Sequence, residues 1–433
     1  MAAAESPAKR SRYRWLIFGI LAGGYILVYF HRLCAAVVAV EMMRDLRTTG
    51  ALLGLLSSAY FYPYALMQIP AGLLADTWGP RRTIAVFLLA AIAGSLLLGM
   101  APSLGWAMVG RALVGIGVSM LFVPTMKILA EWFTAAEFAG MTGIMVAMGG
   151  VGSLTAAGPL AYVSSALGWR ACFEIVGLAT LVLAGLVWWL VRDRPADLGF
   201  EPITAAGPAA VPPIPLGQGL KRVLLTPAFW PLAVWFFFGC AVFFAFIGLW
   251  GGPYLMQVYG LSKAAAGNIL SMSAVGMIFG SPLLSFLSTR VFQGRKPLLV
   301  LASLMAVALT ALLSWATADL PVWSLYVLCL VMGVSTNAIV VIGFTATKEL
   351  FPIQIAGTST GLVNLFPFLG GAMFQPLLGY LLQRHGKQPD GAFTLAGFHE
   401  AFLVLFAAAL LAFFASLFVK ETMIKKEVAH ESS

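Results

Sequence analysis

Twelve apolar runs, most of about twenty residues, dominate this chain of 433 residues. As a helix, such a run crosses the roughly 30 Å hydrocarbon core of a bilayer, and a helix satisfies its backbone hydrogen bonds internally. Charged residues make up 10% of the chain, against roughly 25% in soluble domains. The sequence therefore predicts an all-α membrane protein with twelve transmembrane helices. The predicted spans are 13–38, 51–75, 83–100, 107–131, 141–163, 171–191, 229–249, 267–288, 297–316, 322–345, 357–382 and 401–419.

The basic residues predict the orientation of these spans. With both termini in the cytoplasm, 17 of the 26 Lys and Arg residues lie on the cytoplasmic side, six on the opposite side and three inside spans. Cytoplasmic loops are enriched in Lys and Arg. We therefore predict a multi-pass protein of the plasma (inner) membrane with both termini cytoplasmic. The same bias explains the net charge of +9, because the excess basic residues orient the protein in the lipid bilayer. No nucleic-acid partner is therefore expected.

The four cysteines give no sign of a metal or redox site. Cys34, Cys172, Cys240 and Cys329 fall in four different spans, without disulfide or metal-ligand spacing. No span or loop combines a nucleophile with a base, or carries a phosphate-binding loop. We expect no cofactor, no metal and no enzymatic activity.

The two halves of the chain repeat each other. When the chain is shifted by 218 residues, Gly115 aligns with Gly333 and Glu131 with Glu349. Two parallel six-helix pseudo-repeats are an arrangement that rocking transporters use. We predict an N-terminal six-helix bundle (1–191), a cytoplasmic linker (192–227) and a C-terminal six-helix bundle (228–433). The linker is rich in Pro, Gly and Ala, with a proline cluster at 212–215 and a short interfacial helix expected at 220–225.

A short loop between the second and third spans has the composition of a hinge. Gly72 allows two helices to approach closely, and Asp76 is suited to pairing with the N-terminus of a neighbouring helix. Gly79 helps to make the turn, and Arg81 and Arg82 anchor it in the cytoplasm. This segment closely resembles the loop between the second and third helices of the major facilitator superfamily. The resemblance implies that these five residues have gating or structural roles.

Arg32 lies well inside the first span, where a cation costs about 3 kcal/mol on insertion scales and usually has a function. Tyr29 shares its helix face, and His31 is about 100° around the helix. The segment resembles the first helix of organic-anion transporters within the superfamily, where the Arg binds an anion. We expect Arg32, Tyr29 and His31 to contact substrate, with a structural interhelical pair as the alternative for Arg32. Proton-coupled members commonly carry Asp at position 31, so His31 becomes the candidate proton-coupling group.

Polar stripes on two other spans are candidates for the rest of the site. Ser57, Tyr60, Tyr64 and Gln68 lie on one face of the second span, and Asn364 lies on a similar face of the eleventh. We expect Tyr64, Gln68 and Asn364 to contact substrate. Interhelical hydrogen bonds, worth about 1 kcal/mol each, are the alternative.

The fourth span carries two further cations. Arg111 and Lys127 are sixteen residues apart, about 160° around a helix, so they cannot both point into one cavity. Arg111 with Gly115 resembles the fourth-helix pattern of the organic-anion members, and we assign it a gating or structural role. Lys127 is near the cytoplasmic end and is expected to extend to the membrane surface, with substrate contact as the alternative.

The leading hypothesis is a secondary active transporter that moves a small organic anion, in particular a monocarboxylate, by alternating access. One central cation beside an aromatic seventh span, with no second charge there, suits a monovalent and partly hydrophobic anion. Coupling to protons is left open. The alternative is a multidrug or hydrophobic-compound proton antiporter, and a third class is a sensor that does not transport. The resemblance implies a monomer.

Overall fold

The computed structural model describes residues 7–201, 216–352 and 355–423, which are helical with no strand beyond one isolated bridge. Ten continuous helical stretches within these residues are long and apolar enough to cross a membrane. One of them, Gly140–Leu190, spans 51 residues and holds the fifth and sixth crossings on either side of a kink at Gly168. The second crossing is divided into two shorter helices. The predicted all-helical fold is confirmed, and its crossings agree with the predicted twelve.

In chain order, and with the pieces of each crossing together, the helical segments are Pro7–Leu33 and Ala35–Asp45; Gly50–Ser58 and Phe61–Thr77; Pro80–Gly99; Leu104–Ser119 and Phe122–Trp132; Ala135–Thr155 and Gly158–Leu190, which together form the fifth and sixth crossings with the change from one to the other at Gly168; Phe229–Ala245, Phe246–Trp250 and Gly251–Gln257; Lys263–Phe286 and Leu287–Val291; Lys296–Trp315; Val322–Ala338, Ile339–Gly343 and Phe344–Leu350; Ala356–Val363 and Leu365–Arg384; Leu395–Phe418. The first crossing runs on to Asp45, beyond its predicted end at 38.

The linker contains two short helices, Pro195–Leu198 and Leu216–Leu224. The second of these corresponds to the interfacial helix expected at 220–225, with an earlier start. The proline cluster at 212–215 lies outside the described residues.

Proline explains where three crossings break in mid-membrane. The second, fourth and eleventh crossings each divide into two helices, and Pro63, Pro124 and Pro367 lie three or four residues beyond the breaks. A proline lacks the N–H that would bond the preceding turn, and its ring clashes with the carbonyl four residues earlier. The breaks in the second and eleventh crossings lie within about one helical turn of Tyr64 and Asn364, two of the predicted site residues.

Side-chain caps define four of the helix starts. Thr49, Thr134, Ser262 and Thr394 precede the second, fifth, eighth and twelfth crossings. In each case the hydroxyl accepts a hydrogen bond of 3.2 or 3.3 Å from the backbone N–H three residues on. Such a cap satisfies one of the free N–H groups of a first turn, so these four starts follow from local sequence.

Equivalent glycines make equivalent contacts in the two halves. A Cβ added to Gly115 would lie 2.3 Å from the carbonyl oxygen of Tyr60 in the second crossing. A Cβ added to Gly333 would lie 2.0 Å from the carbonyl oxygen of Ser273 in the eighth crossing. The fourth crossing thus packs on the second as the tenth packs on the eighth, which is the contact expected of two parallel pseudo-repeats.

The two halves close against each other on one side of the membrane. Because twelve crossings bring the chain back to its starting side, we call that side the terminus side and the other the loop side. On the loop side, a Cβ on Gly54 would lie 2.5 Å from the carbonyl oxygen of Gln375, and one on Gly252 would lie 1.8 Å from that of Ala36. Backbone therefore meets backbone across the interface between the halves.

Polar contacts add to this loop-side seal. Lys263, at the start of the eighth crossing, forms an ion pair with Glu41 at 2.5 Å and donates a hydrogen bond to Ser164 at 3.1 Å. Ser58 donates to the carbonyl oxygen of Ala372 at 2.8 Å. All three contacts join the first six crossings to the last six.

The terminus side is open. Gly72 on the second crossing, Gly140 and Gly143 on the fifth, and Gly357 and Gly361 on the eleventh have no atom within 4 Å of an added Cβ, apart from their own helix and chain neighbours. Helix surfaces that pack tightly on the loop side thus diverge on the terminus side.

Candidate functional site

The guanidinium of Arg32 lies at the centre of the protein, surrounded by aromatic rings. Its Cζ lies 4.5 Å from the ring centre of Tyr29, 5.0 Å from that of Phe368, 5.1 Å from that of Tyr64 and 6.0 Å from that of Phe244. We call these four rings the aromatic cage. The face of an aromatic ring attracts a cation. Arg32 is only 6% exposed, so the cage takes the place of most of its hydration.

No carboxylate balances this charge within the described part of the chain. The ion pairs found there all involve other cations, and the buried Nε of Arg32 has no hydrogen-bond partner. Aromatic rings recover part of the hydration energy of a guanidinium, but they do not neutralise it. The centre of the protein therefore carries an uncompensated positive charge suited to an anion.

Both halves of the protein build the aromatic cage. Tyr29 and Tyr64 come from the first and second crossings, and Phe244 and Phe368 come from the seventh and eleventh. The ring centres of Tyr64 and Phe368 are 4.4 Å apart across the interface between the halves. A rocking motion of one half against the other would therefore change the surroundings of Arg32.

An amide pair lies one helical turn from the cage, towards the terminus side. Asn364 donates a hydrogen bond from Nδ2 to Oε1 of Gln68 at 3.2 Å, again between the two halves. Gln68 follows Tyr64 by four residues and Asn364 precedes Phe368 by four, so both residues lie on the faces that build the cage. The structure thus brings Gln68 and Asn364 together beside Arg32, and their contact with substrate stays a prediction.

His31 lies next to a second buried cation. Its side chain is fully buried, and neither ring nitrogen has a hydrogen-bond partner among the described residues. Its backbone carbonyl accepts a 2.9 Å hydrogen bond from Nη1 of Arg111. A proton on His31 would add a positive charge in a region where the described residues supply no carboxylate. Its roles in substrate binding and proton coupling stay predictions.

The hinge residue Asp76 has a different partner from the one expected. Its carboxylate pairs with the ammonium of Lys127, which also donates to the carbonyl oxygen of Gly72 at 3.3 Å. Asp76 is exposed, and an added Cβ on Gly357, at the start of the eleventh crossing, meets open space. With the terminus side open, Asp76 pairs within its own half instead of with another helix N-terminus. Lys127 belongs to this hinge and not to the cage.

A hydrogen bond to the linker stabilises the turn after Asp76. Gly79 has a φ of +92°, which favours glycine. The backbone N–H of Arg81 donates a 2.7 Å hydrogen bond to the carboxylate of Asp193, at the start of the linker. Burial raises the pKa of Asp193 despite this bond. Arg82 is exposed, as expected for a residue that anchors the loop at the membrane surface.

The second half contains an equivalent contact between a carboxylate and a helix N-terminus. The carboxylate of Glu421, after the twelfth crossing, accepts hydrogen bonds from the backbone N–H groups of Arg295 and Lys296 at 2.9–3.1 Å. Partial burial would raise the pKa of Glu421, but these and neighbouring N–H donors outweigh it and lower the pKa. Asp193 and Glu421 therefore cap the third and ninth crossings in equivalent positions.

Removing either capping carboxylate should destabilise its own half. We expect Asp193→Ala and Glu421→Ala each to cost about 1 kcal/mol, as for other helix N-caps. Thermal unfolding of the purified protein measures the change, with Asp319→Ala, an exposed loop carboxylate, as the control. A loss no larger than that of the control would contradict the capping role.

Sequence reasoning did not single out Phe368 and did not separate Phe244 from the other aromatic residues of the seventh crossing. A signal for Phe368 was available, because it follows Asn364 by four residues on the same helix face. No sequence signal distinguishes Phe244 from Phe243, since only the packing between the halves decides which ring meets Arg32.

A family model identifies the chain. The model described as Major Facilitator Superfamily matches residues 21–374, which include Arg32, the whole cage and the hinge. The chain belongs to the Major Facilitator Superfamily. It is accordingly a multi-pass membrane protein and a secondary transporter, and its curated relatives are named as membrane transport or sensor proteins, not enzymes.

The relatives are distant but match along most of their length. The membrane sensor protein UhpC of Salmonella typhimurium is 26% identical, covering 84% of this chain and 85% of its own. The probable sulfoacetate transporter SauU of Cupriavidus necator is 24% identical (90% and 92%), and the D-galactonate transporter of Escherichia coli is 23% identical (89% and 93%).

Solved structures share the fold. A bacterial homolog of the human lysosomal transporter Spinster, in an inward-facing and unoccupied conformation, has a TM-score of 0.72 at 20% identity, covering 96% of this chain and 97% of its own. At such identities the likeness shows the fold alone. The narrower resemblance to the organic-anion members stays a prediction.

Proposed function

We propose that this superfamily transporter moves a small organic anion, in particular a monocarboxylate, by alternating access. The observation that carries the proposal is the guanidinium of Arg32, buried between the two halves with no carboxylate partner among the described residues. An anion bound there would neutralise the charge and touch both halves. Binding would then change when the halves move, which alternating access requires.

The cage suits an anion with a partly apolar body. Arg32 would bind the carboxylate through two N–H donors, and Tyr29 and Tyr64 would orient it. Phe244 and Phe368 would pack on the apolar part. The described residues around Arg32 include no second cation in the cage, which favours a monovalent anion over a phosphate ester. Relatives named for sulfoacetate and D-galactonate support an organic anion.

We take the terminus side to be cytoplasmic because it carries most of the basic residues. The structure would then be an inward-facing state, with the loop side sealed towards the exterior. In this state substrate would reach Arg32 by passing the Gln68–Asn364 hydrogen bond, after which the two amides could bond to the polar end of the substrate.

Transport assays in proteoliposomes test the proposed substrate class. We expect monocarboxylates such as benzoate to inhibit the uptake of a labelled monocarboxylate competitively. The neutral analogue benzamide and a lipophilic cation should not inhibit it. Competition by the lipophilic cation alone would favour the multidrug antiporter, although a caged guanidinium would repel such a compound. Saturable carboxylate binding without transport would favour a sensor, the function in the name of the relative UhpC.

Proton coupling through His31 is a separate part of the proposal. An inwardly directed proton gradient should drive substrate accumulation in vesicles that contain the unsubstituted protein. His31→Ala should abolish that accumulation while leaving the exchange of substrate across the membrane intact. Both are measured in the same vesicles. Full pH-driven accumulation by His31→Ala would remove His31 from the mechanism and favour uncoupled transport or anion exchange.

A further inference from the structure

A second buried guanidinium lies apart from the aromatic cage. Arg111 is 2% exposed. Its Nη1 donates to the carbonyl oxygen of His31 at 2.9 Å and to Sγ of Cys34 at 3.6 Å, and its Cζ lies 5.2 Å from the ring centre of Tyr60. These partners are all neutral. Nη2 of Arg111 is buried and has no hydrogen-bond partner among the described residues.

A small cavity borders this guanidinium, and a second buried polar group borders the same cavity. Ser57 is 2% exposed, and its Oγ, like Nη2 of Arg111, has no hydrogen-bond partner among the described residues. The cavity is lined by Cys34, Ala35, Met42, Leu53, Leu56, Ser57, Arg111, Phe173 and Leu249. It has room for about one water-sized particle.

The two carboxylates of the first crossing on this side of the protein are already paired with cations. Glu41 pairs with Lys263, and Asp45 pairs with Arg170 and accepts a hydrogen bond from Trp169. None of the described ion pairs reaches Arg111. A buried cation without a counter-charge is costly, and both unpartnered groups can donate a hydrogen bond to an anion.

We propose that this cavity binds a single monoatomic anion, a halide, held between Nη2 of Arg111 and Oγ of Ser57. The volume excludes a carboxylate with a carbon skeleton, so the site is distinct from that of Arg32. The remaining walls are apolar apart from the thiol of Cys34. Such walls favour a weakly hydrated anion over water, because water would find few acceptors for its own protons.

The site would also respond to the conformation of the transporter. Eight of its lining residues belong to the first six crossings, but Leu249 belongs to the seventh. Leu249 covers the cavity only while the loop side is sealed. A bound halide would therefore stabilise the loop-side-sealed state, and opening of the loop side would let the ion escape.

Thermal unfolding of the full-length protein in detergent tests the proposal. Sodium bromide is titrated against sodium sulfate at equal ionic strength, since sulfate is too large for the cavity. We expect saturating bromide to raise the Tm by about 3 °C. Ser57→Ala and Arg111→Gln should reduce the shift to less than a third, and Arg32→Gln should keep it.

Two outcomes would overturn the proposal. One is the absence of any bromide-dependent shift in the unsubstituted protein. The other is a shift that is lost in Arg32→Gln but kept in Ser57→Ala, since bromide would then occupy the aromatic cage. The test does not depend on carboxylate transport, so its failure and the failure of the proposed function can be told apart. If Arg111→Gln does not fold, Ser57→Ala, which removes one hydroxyl, decides the result.

Discussion

Replacing Arg32 by Gln will abolish substrate binding without unfolding the protein. The bound carboxylate loses two charge-assisted hydrogen bonds, each worth about 1.5–3 kcal/mol, so its Kd should rise by roughly 100-fold or more. The protein itself loses a buried cation that has no carboxylate partner among its described residues, and such a loss is neutral or stabilising. The Tm without substrate should therefore stay the same or rise, while carboxylate-dependent stabilisation disappears.

Matched variants separate charge from shape in this experiment. Arg32→Lys keeps the positive charge but loses the planar pair of donors, so it should retain weak binding. Arg14→Gln removes a cation that is already paired with Glu137 at 3.0 Å near the terminus side and should leave binding unchanged. Carboxylate stabilisation that survives Arg32→Gln at full size would discredit the aromatic cage as the substrate site.

Replacing Gly252 by Val will stop transport by keeping the loop side open. A Cβ at this position would lie 1.8 Å from the backbone oxygen of Ala36 in the other half, and backbone cannot move aside as a flexible side chain could. The two halves must then separate on the loop side, and the sealed state becomes inaccessible. We expect the transport rate to fall by roughly 100-fold or more, equivalent to about 3 kcal/mol against the sealed state.

Chemical labelling reports the conformation directly. Ser58 is fully buried in the loop-side seal, so a cysteine introduced there (Ser58→Cys) should react slowly with a membrane-impermeant maleimide, and faster when combined with Gly252→Val. Gly19→Val is the matched control, because an added Cβ at Gly19 meets nothing within 4 Å. Normal transport by Gly252→Val would show that closure of this seal is not required.

The contacts of Arg32 show which contacts follow from spacing within one helix and which depend on packing between crossings. Tyr29 and Arg32 are one helical turn apart, so their proximity follows from helix periodicity. The contact of Tyr64 with Arg32 joins two crossings, and the polar stripe predicted the face but not the partner. Phe368 was not predicted, although its spacing from Asn364 places it on the same helix face; only the packing between the halves brings that face to Arg32.

The hinge shows that the sequence also does not determine which conformation the protein adopts. Asp76 was expected to pair with a helix N-terminus, yet in the terminus-side-open state it pairs with Lys127. One sequence encodes both states of a transporter, so it names the groups that can pair without saying which pair is formed. Lys127 lies in the second helix of the fourth crossing, beyond the break that separates it from Arg111, and this pairing explains its place in the structure.

The sequence by itself determined the membrane location, the helical fold, the repeat and the presence of a lone cation in the first crossing. These depend on hydrophobic length and on spacing within one helix, which are local properties. Only the tertiary structure decided that four rings from four crossings surround Arg32, that Gln68 meets Asn364, and that Arg111 borders a separate cavity. Those contacts depend on how two six-helix halves pack, and packing joins residues up to about three hundred positions apart that no periodicity connects.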